Sequence, residues 1–455
     1  MSNSMGPSPN PKDSSGPNDS PNAIAAAIPN GRLVILFLVM LVAAAGNTAM
    51  QSILPAISSQ LDIADVWVSL AFSWSALLWV ITAPKWAHLS DRRGRKQLMT
   101  LGTYGFISSM GLCGLMLWLG LEGFLGATAT FVLFALFRSL YGAFGSAAPP
   151  AVQAYVAART ERAERTKALS LLASSFGLGT VIGPAIAHFL VFYPLGLAGP
   201  MIIFALFGVG VLVALYCYLP ADTPRFEARG TITSYPSSAQ VGRPNDEEDN
   251  APLGSPKNAT PPAHLPWRDR RVLPWLIAGL IGGHAQAVMM GVVGFLVRDR
   301  LGLHDDPSGA VQAIGSVMFI GAMATLLAQW GLIPILSLGP KASVLWGSIL
   351  ALIGVSMTGA SHDFYGISTG FALASLGFGL YRPGFTAGAS LAVRRSEQGD
   401  VAGKIASING AAYIAAPALG VWLFSIWEPA TFILMAAALA FLILWGKRAL
   451  AIPAD

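Results

Sequence analysis

Twelve apolar stretches recur along the chain, and that recurrence limits the fold more than any single motif does. They fall at about 33–56, 66–88, 98–119, 127–157, 168–191, 198–219, 273–297, 309–333, 341–360, 365–391, 402–426 and 430–447. Each lies near the roughly 20 residues needed to cross a hydrocarbon layer. A backbone inside lipid must satisfy its own N–H and C=O groups, so runs of this length are expected as helices. The charge content agrees: 11% of residues are charged and 54% hydrophobic, where a soluble domain carries about 25% charge. The expectation is an all-α membrane protein with twelve transmembrane helices in two pseudo-symmetric six-helix bundles. The net charge of +5 does not point to a nucleic-acid partner. Its cations sit in short clusters between apolar runs, with no basic face carrying interleaved aromatics. Cys113 and Cys217 both lie inside apolar runs, which argues against a disulfide framework.

The clusters assign the sides. One set of connections holds Arg92, Arg93, Arg95 and Lys96; Arg159, Arg162, Arg165 and Lys167; the long central segment; Lys341; Arg394, Arg395 and Lys404; and Lys447 with Arg448. The other holds Asp62, Asp65, Glu122, His362, Asp363 and Glu428, with Arg298 and Arg300 as its strong cations. Because cytoplasmic loops carry the excess of Lys and Arg, the first set and both termini are expected in the cytoplasm. Residues 1–30, rich in Ser, Pro, Asn and Gly, read as a disordered cytoplasmic tail without the charged start of a signal peptide. Residues 31–220 form the first expected bundle and 272–448 the second. Between them, 221–271 turn to Pro, Ser, Asn, Asp and Glu and read as a flexible cytoplasmic linker, and 449–455 as a second tail. The halves resemble each other. Ser174–Ala187 (SSFGLGTVIGPAIA) and Ser407–Gly420 (SINGAAYIAAPALG) share small residues, and Pro184 corresponds to Pro417. Duplicated transporter bundles carry repeats of this kind.

Between the second and third runs lies Ala87-His88-Leu89-Ser90-Asp91-Arg92-Arg93-Gly94-Arg95-Lys96, a charged turn in which Gly94 permits a tight reversal. It resembles the G-x-L-x-D-R-x-G-R-K loop of the major facilitator superfamily at every named position except the first, where alanine stands. The resemblance runs from about Gly31 to Arg448 and implies the major facilitator fold. It also implies that Asp91, Arg92, Gly94, Arg95 and Lys96 form a cytoplasmic latch holding the outward-open state. Arg138-Ser139-Leu140-Tyr141-Gly142 is similar to the R-x-x-x-G pattern of proton-coupled members. Gly179-Thr180-Val181-Ile182-Gly183-Pro184 is similar to the G-x-x-x-G-P part of an exporter signature, whose two final glycines are Ala187 and His188 here. Glycines four apart let helices approach closely, and proline bends the axis, so Gly179, Gly183, Pro184 and Pro417 are expected at a packing hinge.

An arginine well inside a membrane helix needs water or a partner, which marks Arg138 and Arg382 as candidates for a substrate or proton pathway. Tyr141, Asn47, Gln51, His284, Gln286, Asn409 and Tyr413 join them. Asn47 with Gln51, and Asn409 with Tyr413, stand one helical turn apart and share a face. No Asp or Glu falls deep in any of the twelve runs. A cavity whose charges are all positive repels cations, so a neutral or anionic organic molecule is the expected cargo. The resemblance implies a secondary transporter working by alternating access, a proton-coupled exporter of a drug or metabolite, with an importer or facilitator as the alternative. It further implies a bacterial inner membrane, protons and the lipid bilayer as partners, and a monomer. No H-E-x-x-H, metal-spaced cluster or phosphate-cradling loop occurs, so neither a catalytic residue nor a metal or other cofactor is expected, and an enzyme or sensor is disfavoured.

Overall fold

The computed structural model describes residues 29–157, 162–220, 265–394 and 397–450. Apart from one isolated bridge between Phe192 and Gly196, the regular structure among them is helical. In chain order the α-helices are α1 (Asn30–Gln60), α2 (Asp65–Arg93), α3 (Arg95–Leu121), α4 (Ala127–Phe144), α5 (Ala148–Ala157), α6 (Arg162–Ala187) and α7 (Gly199–Tyr218). The second half supplies α8 (Leu273–Arg300), α9 (Pro307–Leu326), α10 (Ile333–Leu336), α11 (Pro340–Ala360), α12 (Phe364–Leu391), α13 (Gln398–Ile426) and α14 (Glu428–Ala449). A 3₁₀ turn at Gly145–Ala147 joins α4 to α5 as one rod, and a π-helical turn at Leu327–Leu332 joins α9 to α10. Hydropathy alone does not reveal either joint, because the apolar pattern continues through both.

Among the described residues ten helices are long and apolar enough to cross a membrane. Of the twelve runs, that of α12 falls short of that measure, and that of α6 is described in full only over Ser174–Leu190, a shorter apolar helix. The run of α12 is diluted by Gly, Ser and Tyr. Both are packing helices: α12 lies along α11, and α6 lies along α1. A helix that rests on other helices gains by close approach of small residues more than by apolar bulk.

Contacts repeat between the halves. In the first, α1 packs on α6, α3 on α4 and α3 on α7; in the second, α8 packs on α13, α11 on α12 and α11 on α14. The glycine-proline segment of α6 shows why. A Cβ on Gly183 would lie 2.2 Å from the carbonyl oxygen of Ala45, and one on Gly179 2.5 Å from that of Leu41. Only hydrogen fits there, so α1 and α6 meet backbone to backbone. On the α8–α13 side, Gly291 faces Pro417 at comparable range. Across the halves α2 packs on α13, and α6 and α1 pack on α9.

The buried core divides unevenly. One cluster includes Ile53, Ile57 and Val68 from the first half and Val292, Leu296 and Val311 from the second, so it spans both. Two others do not cross. Leu36, Leu98, Val152, Leu172 and Leu215 belong to a cluster within the first half, and Trp275, Val344, Phe385, Val401 and Leu442 to one within the second. The separate clusters stand at the end where α2 turns into α3, and the shared one at the opposite end. The halves are thus welded at one end and parted at the other.

Candidate functional site

Arg138 is fully buried in α4. Its Nη2 donates to the side-chain oxygen of Asn47 on α1, and its guanidinium carbon sits 4.9 Å from the ring centre of Phe72 and 4.8 Å from that of Tyr141. Tyr141 lies in turn 5.4 Å from Trp79, centre to centre. The cation is therefore held between two aromatic faces and an amide. Cation–π contacts strengthen when desolvated, to about 2 kcal/mol, and offset part of the cost of burying the charge.

A cavity of about 620 Å³, its open mouth included, lies between the halves. Gln51 and Leu54 of α1, Phe72 of α2, Met290 and Gly291 of α8, Met318 of α9, and Tyr413 and Pro417 of α13 are among its lining residues. None of the described lining residues is acidic. Phe72 is common to the cavity wall and to the Arg138 sandwich. Tyr413, buried and without a hydrogen-bond partner of good geometry for its hydroxyl, has Arg382 of α12 beside it. Tyr381 packs at 5.5 Å on Phe385 and donates its hydroxyl to the carbonyl of Ala278. The structure thus gathers Asn47, Arg138 and Tyr141 into one cluster, and Gln51, Tyr413 and Arg382 at or beside the cavity. His284, Gln286 and Asn409 are not among its lining residues. The imidazole Nδ1 of His284 lies 2.7 Å from the Leu280 carbonyl of its own helix, while Gln286 and Asn409 are buried.

The welded end carries two groups that residue patterns did not single out as functional. Arg298, 4% exposed at the end of α8, grips Asp65 at the start of α2 through Nη1 at 2.9 Å and Nη2 at 2.6 Å. Its Nη1 also donates to the carbonyl of Pro55 at 2.9 Å and to Ser58 at 3.0 Å, and Ser58 donates to Asp65 at 2.8 Å. Asp299 accepts from its Nε at 2.7 Å. This network joins α1 and α2 of the first half to α8 of the second. Within the second half, Arg300 donates to Glu428 at 2.5 Å and to the carbonyls of Thr358, Gly359 and Ser361. One signal could have found both: they are the strong cations on the side the charge rule leaves poor in them. Pairing is what lets them stay there.

At the parted end Gly94 takes φ 95° between α2 and α3, a left-handed conformation that favours glycine. Arg95 is buried. Lys96 donates to the carbonyls of Tyr216 at 3.2 Å and of Leu219, where its charge complements the C-terminal end of α7. The side chains of Asp91 and Arg92 lie outside the described residues. In the second half, Arg271 pairs with Glu397 at 3.0 Å and Asp269 at 2.9 Å, and Asp400 accepts the backbone N–H of Leu265 at 3.0 Å. The guanidinium of Arg271 holds both the Asp269 and the Glu397 carboxyls below their ordinary range.

A family model described as Major Facilitator Superfamily matches residues 36–337. The chain belongs to the Major Facilitator Superfamily. Members of that family are transporters of small molecules, integral to membranes, and are not enzymes. Its fold recurs in a crystal structure of a bacterial homologue of the human lysosomal transporter Spinster in an inward-facing, unoccupied conformation. That match has TM-score 0.68 at 12% identity over 94% of this chain and all of that one. The human organic anion transporter MFSD10 is similar at TM-score 0.58 and 18% identity, over 93% of this chain and all of that one. In sequence, the staphyloferrin B transporter of Staphylococcus aureus (strain NCTC 8325 / PS 47) is 29% identical over 157 residues. That stretch is 33% of this chain and 34% of the relative, so this chain spans about a third of the curated relative it matches.

Proposed function

We propose that this member of the superfamily is a twelve-crossing secondary transporter, working by alternating access as a monomer and exporting a small neutral or anionic organic molecule in exchange for protons. The observation that carries the alternating-access reading is the unequal core. One end is closed by a shared apolar cluster and the Arg298–Asp65 network, and the other divides into two separate cores. On this reading the structure is one of two states, open toward the α2–α3 turn. Asp91, Arg92, Gly94, Arg95 and Lys96 would then latch that end when it shuts. The charge distribution supports a cytoplasmic turn and cytoplasmic termini, and the source membrane is taken as a bacterial inner one.

A neutral or anionic cargo is supported by Arg138, which packs on the cavity residue Phe72, and by a described cavity wall without acids. Names among the relatives point the same way, since one carries organic anions and another a siderophore. Export is supported by the Gly179-x-x-x-Gly183-Pro184 segment, which sits between α1 and α9 with the carbonyl of Pro184 against Gly315. The departure at Ala187 and His188 favours the second reading, an importer or facilitator. Counterflow in vesicles of known orientation separates the two. Accumulation that stops when the pH gradient is collapsed supports proton exchange; accumulation that persists rejects it.

A further inference from the structure

The end of the second half that carries the Arg271 clamp holds more cations than its carboxylates can pair. Asp269 and Glu397 are taken by Arg271, and Asp400 by Lys404 and the backbone N–H of Leu265. Arg268 and Arg270 ahead of α8, Lys341 at the start of α11, and Lys447 with Arg448 at the end of α14 have no carboxylate partner among the described residues. Packing brings these three places together. Leu265, Val272 and Trp275 share one buried cluster with Val344 of α11 and Leu442 of α14, and Lys341 donates its Nζ to the carbonyl of Lys447 at 2.8 Å. The stretch ahead of α8 is pinned by buried Leu265, by the Arg271–Glu397 pair, and by the Trp267 ring over the Nζ of Lys404 at 5.4 Å. It leaves Arg268 and Arg270 exposed, as are Lys447 and Arg448.

We propose that this corner of the second half binds an anionic phospholipid, its phosphate held among Arg268, Arg270, Lys341, Lys447 and Arg448. Helices α8, α11 and α14 are each long and apolar enough to cross a membrane, so the five cations stand where those crossings leave the hydrocarbon. On α14, Phe441, Trp445 and Arg448 follow at intervals of four and three residues and share one face. Phe441 is 53% exposed and stacks on Trp445 with ring centres 6.2 Å apart. An aromatic face that ends in a cation suits an acyl chain beneath a charged headgroup, and a guanidinium fork matches the oxygens of a phosphate. Orientation in the membrane needs such charges only in sum. Their convergence on one packed corner, with the neighbouring acids already paired, is what makes a site. All five belong to the second half, so the site stays whole as the halves rock, whatever the cargo and its direction.

The test is native mass spectrometry of the purified full chain, titrated in neutral detergent with dioleoylphosphatidylglycerol and with dioleoylphosphatidylcholine. The two lipids share their chains and differ in net charge. The anionic lipid is expected to bind at least about 30-fold more tightly, since each cation near an anionic headgroup contributes about 5-fold. Arg268→Gln with Arg270→Gln should cut that advantage at least about 10-fold and leave phosphatidylcholine binding unchanged. The double Lys variant, which keeps the charge, should retain most of it, and melting profiles of both variants guard against a folding defect. Lys85→Gln, which removes an exposed cation of the first half, should leave the advantage in place. Equal binding of the two lipids overturns the proposal, as does an equal loss in Lys85→Gln. Displacement of the bound lipid by glycerol phosphate at similar concentration also overturns it, because the site would then take a free anion rather than a lipid.

Discussion

Breaking the Arg298–Asp65 pair should move the protein between its two states by an amount the geometry fixes. Asp65→Asn keeps size but removes the charge from two hydrogen bonds, of 2.9 and 2.6 Å, and turns one of the two accepting oxygens into an amide donor. A charge-assisted bond contributes about 1 kcal/mol more than a neutral one, so two forfeit about 2 kcal/mol. The side chains are 5% and 18% exposed, so solvent screening takes little of this. Since only the welded end holds the pair, the loss falls on that state alone and raises the population open at that end about 30-fold. The assay is alkylation of a cysteine at Gln51, a cavity residue, in a chain with Cys113 and Cys217 replaced. An impermeant maleimide is added from the side opposite the α2–α3 turn. The labelling rate should rise about 30-fold in Asp65→Asn, and the charge-reversed double variant Asp65→Arg with Arg298→Asp should bring it back toward the starting value. An unchanged rate would refute the reasoning, because it would mean the ion pair is equally made, or equally worthless, in both states.

Further consequences are open to simpler measurements. Gly183→Ala should lower the melting temperature sharply, since its Cβ would fall 2.2 Å from the Ala45 carbonyl, whereas Gly403→Ala, with nothing within 4 Å, should be neutral. Arg300→Gln should destabilise the protein by about 2 kcal/mol, the scale of hydrogen bonds to a charged donor, because three carbonyls and the partly exposed Glu428 lose their donor; chemical denaturation in detergent reads this. The Arg271 clamp should depend on acid. Its two carboxyls are held below their ordinary values, so their contribution is complete above the ordinary carboxylate range near pH 4 and disappears as pH falls through the depressed values. The protection factors of the amides of residues 265–272, their exchange rates referred to the intrinsic rate at each pH, should therefore fall below about pH 4 and stay level at higher pH.

Helices were legible because lipid imposes one length and one backbone solution, and the apolar runs found them, including α12, which Gly, Ser and Tyr make less apolar than the rest. Joints within a run were not. The break at Gly145 and the wide turn after Leu326 change hydrogen bonding without changing apolar character. For the site, Arg138 with Asn47 could be anticipated, since a buried cation demands a polar partner. Which partner it takes depends on how α4 lies against α1. The pairing of Arg298 with Asp65 spans 233 positions and is set by how two halves dock, which no local pattern encodes. Its trace in the sequence is only a cation on the wrong side. The Nδ1 of His284 lies against a carbonyl of its own helix, a contact set by local helix geometry.

The central claim, that the two halves rock so that one end opens as the other shuts, is tested most directly by paired spin labels. One pair would sit at Gln97 and Lys447, at the parted end, and the other at Glu122 and Asp305, at the welded end. On cycling between the cargo-free protein and the Asp65→Asn variant, the first distance should shorten while the second lengthens. Distances that stay fixed, or that grow and shrink together, would contradict it.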